Sequence, residues 1–464
     1  MFTLTDILEG TQGQLDAAAG AASMAEVGFT VVATDSRGSI PGALFVALTG
    51  EHVDGHSFVL DAVGHGALGA IVRTDWRPPE ALPAGVALIR VDDPLKALQR
   101  LAAWWRARHE VQVIGVTGSI GKTSTKEVIA AVLESRFSTL KSPGNLNNEI
   151  GLPLTLLQLS ASHRKVVLEM GAGYELGELT MLCDIARPEI AVVTNVGPVH
   201  LSRMGTLERI ALNKSELVRS LPASGTAVLN ADDPRVIAMR EVTSAHILTY
   251  GIEEEAELCA SEIESHGLNG VHFTLVSRQE GRSWRVRLPL LGRHSVHTAL
   301  AAAGAARAAG MDWVEIVPAL QALGAQVRLI VVPGYNGSTL IDDSYNASPD
   351  STVAALNLLE EMPGNRIAVL GDMLELGSYE REGHLKVARR ATVAAQRLVV
   401  VGSLGRLMGE EALRVGMAPE RVFFAADNEQ VVDYLQRILK PGDHVLVKGS
   451  RGLHMEQIVD ALRV

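Results

Sequence analysis

Short runs of apolar residues, separated by turns that contain glycine or proline, organise the first part of the chain. Buried strands are predicted at FVAL (45–48), GAIV (69–72) and VALIRV (86–91), because each is a brief continuous apolar run. The stretch 94–109 changes to an amphipathic period and begins with a proline after two aspartates, which predicts a helix. This first segment, about 1–107, is therefore predicted to mix strands and helices.

The middle of the chain alternates apolar strands with helical stretches. VQVIGVTG (111–118) runs into a glycine turn, and further strands are predicted at KVVLEMG, EIAVVTNV and TAVLNADD. Strands that alternate with helices form a parallel sheet with crossover helices. Residues 251–291 instead alternate polar and apolar positions between glycine turns, which predicts antiparallel strands, and 296–310 predicts an alanine-rich helix.

A third block begins near residue 328. Strands are predicted here at STLIDDSY, RIAVLGDM, RLVVVG, RVFFA and HVLVKGS, with helices between them. The pattern as a whole predicts an α/β protein with domains at 1–107, 108–326 and 327–464. The length of 464 residues agrees with three domains, since a domain averages about 150 residues.

Composition and charge restrict the class of partner. Hydrophobic residues make up 47% and charged residues 20%, a globular composition that excludes a disordered chain. The net charge of −11, from 42 basic and 53 acidic residues, argues against a general nucleic-acid binder or an anionic membrane surface. An anionic substrate would therefore have to be held by a local arrangement of backbone N–H groups and a few cations.

The cysteines and the N-terminal residues favour a cytoplasmic protein. Cys183 and Cys259 are too few for a disulfide framework or a metal cluster, and we expect both to be small buried hydrophobic residues. The start, MFTLTDILEG, lacks the basic and apolar regions of a signal peptide. Because no stretch reaches about 18 uninterrupted apolar residues, no membrane insertion is predicted.

The clearest candidate chemistry is the glycine loop in VIGVTGSIGKTSTKEVIAAVL. A strand enters the loop and a helix leaves it at Lys122, so backbone N–H groups and the helix N-terminus can bind the phosphates of a nucleoside triphosphate. Lys122 supplies a positive charge, and the Thr123 hydroxyl can ligate Mg²⁺. The strict pattern GxxxxGK[ST] is not met, because Val116 stands at its first glycine position. The predicted nucleotide-binding residues are Gly118, Ser119, Ile120, Gly121, Lys122, Thr123 and Ser124.

Two further polar residues follow strand ends. Glu169 ends the strand KVVLEMG and His200 follows TNVGPVH. Ligands gather at the carboxyl ends of strands in an open α/β sheet, so both residues suit Mg²⁺ near the terminal phosphate, although imidazole is a less usual Mg²⁺ ligand than oxygen. The alternatives are a helix cap for Glu169 and a loop histidine for His200. From periodicity alone, Lys214 in IALNKSELV is expected to be an ordinary solvated lysine.

A series of ordered motifs resembles the Mur ligases, the ATP-dependent amide-forming enzymes of peptidoglycan synthesis. The motifs are TGSIGKTSTK, GNLNNEIGLPLTLL (144–157), LEMGA, TNVGPVHLSRMGT, NKSEL, LGRH, IDDSYNASP, LGDMLELG and VKGSR. The likeness covers essentially the whole chain. Within the family it is greatest to members that add D-alanyl-D-alanine to UDP-N-acetylmuramoyl-tripeptide, on DSRGSIPGALFVAL (35–48), GEHVDGHSF, GNLNN, DDSYNASP, GDMLELG and VKGSR.

The resemblance implies a three-domain architecture and a reaction. The N-terminal domain would bind the UDP-sugar, the central phosphate-loop domain would be a parallel-sheet ATPase, and the C-terminal domain would be Rossmann-like. ATP and Mg²⁺ are the implied cofactors, and a monomer is expected. The tripeptide carboxylate would attack the γ-phosphate of ATP, and the dipeptide amine would displace phosphate from the acyl phosphate. Such a step would serve cell-wall biogenesis, and through it cell shape and division.

The resemblance also implies roles for individual residues. Arg328 would reach the γ-phosphate, and His294 and Asp343 would contact ATP. Glu169, His200 and a carbamylated Lys214 would hold a second Mg²⁺. With Arg328, the implied catalytic residues are Lys122, His200 and Lys214. The implied substrate contacts are Ser36, Arg37, Asn145, Asn148, Tyr345, Asn346, Lys448, Ser450 and Arg451.

The sequence departs from the family pattern in three places. Ile120 stands where the family has Asn or Ser, which removes a side-chain donor from the loop but leaves its backbone. Ser295 and Thr298 replace two asparagines after LGRH, which puts the adenine contact in question. Val327 replaces the glycine before Arg328, which suggests a different hinge.

Other functions stay open at this point. A related ligase could add a single amino acid such as lysine or meso-diaminopimelate, or the chain could resemble a folylpolyglutamate synthetase. The lysine and diaminopimelate ligases carry a DNPR-like motif in the C-terminal domain, whereas ADDPR (231–235) lies in the central domain here. A nucleotide-binding module without ligase turnover is the alternative from a different class.

Overall fold

The computed structural model describes residues 1–16, 28–38, 40–50, 52–324 and 329–464. Among the described residues of the first segment, the strands are β1 (Phe2–Thr3), β2 (Gln14–Leu15), β3 (Gly28–Phe29), β4 (Val31–Ala33), β5 (Ala43–Val46), β6 (Gly69–Arg73) and β7 (Ala87–Val91). The helices are α1 (Leu4–Thr11), α2 (Val59–Gly64) and α3 (Pro94–Ala107).

The middle segment alternates strands and helices as predicted. Its strands are β8 (Gln112–Thr117), β9 (Thr139–Lys141), β10 (Lys165–Glu169), β11 (Ile190–Val193), β12 (Thr226–Asn230), β13 (His246–Gly251), β14 (Leu258–Ser265), β15 (Val271–Ser277) and β16 (Arg282–Leu288). Its helices are α4 (Lys122–Glu134), α5 (Gly151–Leu156), α6 (Glu178–Ala186), α7 (Leu201–Met204), α8 (Leu207–Arg219), α9 (Pro234–Ile237), α10 (Ser295–Ala308) and α11 (Trp313–Gln321).

The last segment has the same alternating character. Its strands are β17 (Ile330–Gly334), β18 (Ser338–Asp342), β19 (Arg366–Leu370), β20 (Arg397–Val401), β21 (Val422–Ala425) and β22 (His444–Lys448). Its helices are α12 (Pro349–Glu360), α13 (Glu380–Ala394), α14 (Ser403–Arg414), α15 (Asn428–Ile438) and α16 (Glu456–Leu462).

The chain forms two compact units. Unit 1 comprises Met1–Gly115, Phe137–Gly171 and Glu178–Glu189, and unit 2 comprises Val116–Arg136, Ala172–Gly177 and Ile190–Val464. These two units do not decide the three domain ranges predicted from the sequence, which stay a prediction.

Unit 1 contains a five-stranded sheet in the order β2-β7-β6-β5-β4. Strands β4 to β7 pair in parallel and β2 adds an antiparallel edge. Strand β5 begins and ends two residues before the predicted run 45–48. The shift arises because the chain turns at Leu48, whose carbonyl accepts from the N–H of Gly55 at 2.7 Å instead of continuing the ladder.

In unit 2, six strands from β11 to β16 lie side by side in chain order. Strands β11 to β14 pair in parallel, and β14, β15 and β16 pair antiparallel. The antiparallel prediction for 251–291 is thus confirmed for these three strands. Helix α10 packs against α4, β12 and β13, and nearly all of its residues are buried. A Cβ at Gly304 would lie 2.9 Å from Leu248 and Val228 side chains, so glycine lets α10 approach the sheet closely.

The C-terminal part of unit 2 is a six-stranded sheet in the order β17-β18-β22-β19-β20-β21. All its pairs are parallel except the edge pair β17–β18. Because both faces of such a sheet are covered by helices, most of its strands are apolar between their end residues. Two separate clusters of buried hydrophobic residues accordingly cover its faces, one with α12, α13 and α14 and one with α15 and α16.

Other observations test the sequence predictions directly. Cys183 is buried as expected, whereas Cys259 is only half-buried, and its Sγ lies 2.9 Å from the carbonyl of Ala256. Within the described residues, no helix combines the length and apolar character needed to cross a membrane.

The five tryptophans of the chain are concentrated before residue 314. Trp104 and Trp105 stack on helix α3 of unit 1, with ring centroids 6.3 Å apart. Trp284 and Trp313 stack in unit 2, with centroids 4.6 Å apart. Trp76, in unit 1, lies against His56.

Candidate functional site

The phosphate loop, residues 118–124, connects β8 to α4 in unit 2. Gly118 has φ of +143° and Gly121 has φ of +83°, backbone conformations that favour glycine. A Cβ at Gly118 would lie 2.0 Å from Oγ1 of Thr194, so a larger residue would clash. Gly121 is the N-cap of α4 and contributes no side-chain cap. The loop therefore presents a helix N-terminus and main-chain N–H groups, which suit an anion.

The segment after β11 fixes the shape of this loop. The N–H of Ser119 donates to the carbonyl of Asn195 at 2.9 Å, and its hydroxyl lies 3.0 Å from the carbonyl of Gly197. The side chain of Asn195 accepts from the N–H of Ile120 at 2.9 Å and donates to its carbonyl at 3.0 Å, and the Thr194 hydroxyl donates to that carbonyl at 2.7 Å. The main chain at Ile120 is thus held in place by neighbours, whatever its side chain.

Lys122 begins α4 and folds its side chain back over the loop. Its Nζ donates to the carbonyls of Gly118 at 2.8 Å and Ser119 at 3.2 Å. Thr123 and Ser124 follow in the first turn and, like Lys122, are half-buried. The ammonium is therefore held against the main chain of the loop.

Glu169 is a buried carboxylate at the end of β10 in unit 1. It is 2% exposed, and its Oε1 accepts from the side-chain amide of Asn147 at 2.7 Å. Its Oε2 is buried, and no group among the described residues bonds to it. An unsatisfied buried carboxylate oxygen is costly. This oxygen is therefore free to coordinate a cation, which fits the predicted metal ligand and not the alternative of a helix cap.

Asn147 lies in the GNLNN motif but was not among the predicted site residues. Its carbonyl accepts from the N–H of Gly171 at 2.8 Å, and a Cβ at Gly171 would lie 2.8 Å from its side chain. Asn148, predicted to contact substrate, instead uses Oδ1 to accept from the N–H groups of Ile150 and Gly151 at the start of α5. Asn145 lies in the same turn. Substrate contacts by Asn145 and Asn148 stay a prediction.

Lys214 is buried on α8, which contradicts the solvated lysine expected from periodicity. It is 2% exposed, and its Nζ donates to the carbonyl of Ala172 at 2.6 Å and to Oδ1 of Asn213 at 3.3 Å. The reason lies in the helix period. Ile210 and Leu217 are buried on the same face, four residues before and three after Lys214. That spacing is the signal that could have found it.

His200 lies close to the same stretch of main chain as Lys214. A Cβ at Gly173 would lie 2.6 Å from Cδ2 of the His200 ring, and the preceding residue accepts the hydrogen bond from Lys214. On its other side, Nδ1 of His200 lies 2.5 Å from Oε2 of Glu375. Unit 2 therefore brings His200 and Lys214 together around residues 172–173, with a carboxylate from the C-terminal segment beside the ring.

The electrostatic surroundings of His200 favour its neutral form. Desolvation lowers the pKa of His200. The carboxylate of Glu375 opposes this decrease, whereas the positive charges of Lys122 and Lys214 add to it. A neutral imidazole is the form that can bind a metal. The charge of Lys122, at the phosphate loop, also acts on the His200 ring.

The segment that begins at the LGRH motif carries two histidines with different surroundings. Loss of hydration lowers the pKa of His294. The carboxylate of Asp343 opposes this decrease, whereas Lys448 and His297 add to it. His297 was not predicted, and its Nε2 lies 2.7 Å from Oδ2 of Asp232. Burial opposes ionisation of Asp232, but hydrogen bonds from His297 and two backbone N–H groups outweigh it and lower its pKa to about 2.

Ser295 and Thr298 replace the family asparagines on α10. The Ser295 hydroxyl is buried and donates to the carbonyl of Leu291 at 2.5 Å, so it is occupied within its own helix. Thr298 is half-buried one turn later. A contact of either residue with adenine stays a prediction.

Several residues predicted to contact ATP or substrate meet in the C-terminal part of unit 2. The Nζ of Lys448, itself 2% exposed, donates to Oδ2 of Asp343 at 2.5 Å and to the carbonyl of Asn346 at 2.9 Å. The Arg451 guanidinium lies 5.5 Å from the ring of Tyr345. The buried ammonium is thus paired with the carboxylate of Asp343.

The remaining predicted residues are placed as follows. The Ser450 hydroxyl accepts from the N–H of Leu374 at 2.9 Å and so supports the GDMLELG turn. In unit 1, Ser36 is buried and Arg37 is exposed, with its guanidinium bonded to Asp35. Arg328, with the neighbouring Val327, lies outside the residues that the structure describes, and its predicted role stays a prediction.

Three family models match the chain. They are the Mur ligase family catalytic domain at residues 28–106, the Mur ligase middle domain at 116–306 and the Mur ligase glutamate ligase domain at 327–451.

Among curated proteins, the chain is 36% identical to a UDP-N-acetylmuramoyl-tripeptide–D-alanyl-D-alanine ligase of Synechocystis, over 93% of this chain and 91% of the relative. Among solved structures, it resembles MurF from Acinetobacter baumannii, with a TM-score of 0.87 at 32% identity over 99% of this chain and 98% of that one. It also resembles MurF ligase from Thermotoga maritima in complex with ADP, with a TM-score of 0.78 at 28% identity over 93% and 96% of the two chains.

Proposed function

The chain belongs to the Mur ligase family, and we propose from this premise that it joins D-alanyl-D-alanine to UDP-N-acetylmuramoyl-tripeptide with ATP, in peptidoglycan synthesis. The observation that carries this function is the similarity to ligases of that name over nearly the whole length of both chains. The α/β fold is the three-domain Mur ligase architecture, and the proposed domain ranges are 1–107, 108–326 and 327–464.

The first half of the reaction is phosphorylation of the tripeptide carboxylate. A carboxylate is a poor electrophile with a poor leaving group, and its attack on the γ-phosphate of ATP produces an acyl phosphate and ADP. Two anions must approach each other in this step, so positive charge and oriented N–H groups are required between them. We assign this role to Lys122 and the main chain of the phosphate loop, and we assign Arg328 to the same γ-phosphate.

Two Mg²⁺ ions belong to this proposal. Thr123 would ligate one with the β- and γ-phosphates, and Glu169, His200 and Lys214 would hold the second. The buried oxygen of Glu169 without a bonding partner supports the fit. Lys214 fits only as a carbamate, because carbamylation turns a buried cation into a carboxylate ligand. When bound, the ions neutralise charge that develops on the transferred phosphoryl group.

The second half of the reaction is aminolysis. The amine of D-alanyl-D-alanine attacks the acyl carbon, a tetrahedral intermediate forms, and phosphate leaves with the C–O bond electrons. We assign the dipeptide end to the C-terminal group of Tyr345, Asn346, Lys448, Ser450 and Arg451. Asp343 and His294 are assigned to the nucleotide, and Ser36, Arg37, Asn145 and Asn148 to the UDP-muramoyl-peptide. We further propose a monomer that acts in the cytoplasm.

Phosphate release tests the function directly. Purified protein is given ATP, Mg²⁺ and UDP-N-acetylmuramoyl-tripeptide, with or without D-alanyl-D-alanine, and inorganic phosphate is measured. We expect sustained release only with the dipeptide, and a product whose mass is that of the joined pentapeptide. Separate reactions replace the dipeptide with lysine, meso-diaminopimelate or glutamate.

Each of the other outcomes would indicate a different class of protein. Release that ignores the dipeptide but responds to a free amino acid would identify a ligase that adds a single residue. No release with any acceptor, together with normal ATP binding, would identify a nucleotide-binding module. Either result would overturn the proposal.

A further inference from the structure

We propose that Glu375 is a positioning residue for His200. Its carboxylate, carried by the C-terminal segment, orients the imidazole of a residue in the middle segment so that Nε2 is the atom left to bind a divalent cation. The inference rests on the proposed function, in which His200 is a metal ligand. It adds a residue of the LGDMLELG motif that the mechanism above does not use.

The first observation is the position of the carboxylate. Oε2 of Glu375 lies 2.5 Å from Nδ1 of His200, and Oε1 lies 4.0 Å from the guanidinium of Arg203. The Arg203 guanidinium also lies 3.9 Å from the centre of the Tyr174 ring. The two carboxylate oxygens therefore face different neighbours, one the histidine and the other the arginine.

The second observation is the main chain on both sides of this contact. His200 has φ of +53° and Glu375 has φ of +63°, left-handed conformations that cost free energy for residues other than glycine. The N–H of Ser202 donates to the carbonyl of Glu375 at 3.4 Å, and a Cβ at Gly377 would lie 2.9 Å from the nitrogen of Ser202. Such conformations persist only where the surroundings fix them, so the two turns are fitted closely to each other.

The third observation is the confinement of the ring. A Cβ at Gly173 would lie 2.6 Å from Cδ2 of His200 and 3.2 Å from its Nε2. The main chain at residue 173 therefore lies against the ring on the edge away from Glu375. The imidazole thus lies between this main chain and the carboxylate.

The chemistry of the contact follows from the two ring nitrogens. When a carboxylate accepts a hydrogen bond from Nδ1–H, the proton stays on Nδ1 and the neutral imidazole keeps its lone pair on Nε2, which is the tautomer a metal requires. Metal-binding histidines in proteins commonly have such a partner on the other nitrogen, and its loss weakens metal binding by roughly 10- to 100-fold.

A purely stabilising role explains the contact less well. The side chains of His200 and Glu375 are 40% and 44% exposed, and a hydrogen bond between groups so exposed contributes little to stability. The contact is better explained by its effect on the orientation of the ring, which makes the metal site depend on the C-terminal segment.

Mn²⁺ binding tests the inference without relying on turnover. Electron paramagnetic resonance measures free Mn²⁺ in titrations of nucleotide-free protein. A second group, Glu264, His266 and His272, has ligand atoms within 4.8 Å of one another on the surface. All variants are therefore made in a His266→Ala background. We expect Glu375→Ala to weaken Mn²⁺ binding about 10-fold and Glu375→Asp to recover part of the loss.

Two controls separate positioning from general damage. Glu382→Gln removes an exposed carboxylate of the same segment and should leave Mn²⁺ binding unchanged. In a His200→Ala background, Glu375→Ala should add no further loss, because it would act only through the missing ring. Equal Mn²⁺ affinity in Glu375→Ala and the parent, or an undiminished further loss without His200, would overturn the inference.

The activity assay distinguishes this inference from the proposed function. In Glu375→Ala, the Mg²⁺ concentration for half-maximal phosphate release should rise about 10-fold, with kcat at saturating Mg²⁺ changed less. If the unmodified chain shows no dipeptide-dependent release, the proposed function fails, while the Mn²⁺ titrations still decide whether Glu375 positions His200.

Discussion

The phosphate loop and the His200–Lys214 group are built in opposite ways. The loop presents its main chain in glycine conformations, neighbouring side chains hold that main chain by hydrogen bonds, and its own side chain at Ile120 takes no part in them. The His200–Lys214 group depends on individual side chains, each fixed by one or two neighbours. A site made of main chain tolerates departures from its motif, whereas a site made of side chains depends on every member and on the residues that orient them.

Lys122 is the exception within the loop, because it supplies a side-chain charge. Lys122→Ala should reduce phosphate release by about 1,000-fold, since it removes the cation nearest the terminal phosphates. Steady-state release measures the loss, and circular dichroism should show an unchanged fold. Activity close to that of the parent would mean that the main chain alone carries the loop.

Gly118→Ala tests the main-chain part of the comparison. The added Cβ would lie 2.0 Å from Thr194, so the loop must shift, and we expect an activity loss of about 100-fold. Gly416, which has φ of +104° but nothing within 4 Å of a Cβ, supplies the control Gly416→Ala. If both variants behave alike, backbone strain and not the close approach explains the loss.

Lys214→Ala tests the side-chain part. Removal of a metal ligand should reduce activity by roughly 10- to 100-fold, and added acetate or formate should restore part of it if a carbamate is the natural ligand. Lys122→Ala is the matched control, because a carboxylate cannot replace its positive charge. Rescue of both variants, or of neither, would argue against a carbamate at Lys214 but not against the metal site.

Ile120→Asn should have the smallest effect. It restores the family residue, yet both main-chain groups of Ile120 are already bonded to Asn195. Activity and the KM for ATP should stay within about threefold of the parent. Asn195→Ala should change the KM for ATP more than Ile120→Asn does. The reverse order would show that the side chain at position 120 contributes directly to nucleotide binding.

The sequence predicts elements best where local pattern decides them. The strands before the phosphate loop and before Glu169, and the helix that begins at Lys122, all lie where predicted, because apolar runs and glycine turns are properties of short stretches. Strand β17 was not predicted, since Pro333 interrupts a short run. Strands of two or three residues, such as β1 to β4, are too short to show a period.

The partners of the site residues could not be predicted in the same way. Glu375 and His200 are 175 residues apart, and Asn195 and Ile120 are 75 apart. Such contacts depend on how distant turns pack, which no local period records. Lys214 is different, because its place on the buried face of α8 follows from the spacing of its neighbours.

The positions of the tryptophans have a spectroscopic consequence. The chain has five, at 76, 104, 105, 284 and 313, so residues 314–464 contain none. Indole emission therefore reports on the environment of the preceding segments, while far-ultraviolet circular dichroism reports on helices and strands throughout. A thermal scan followed by both signals separates melting of the tryptophan-free C-terminal sheet from melting of the rest, without any label being added to the chain.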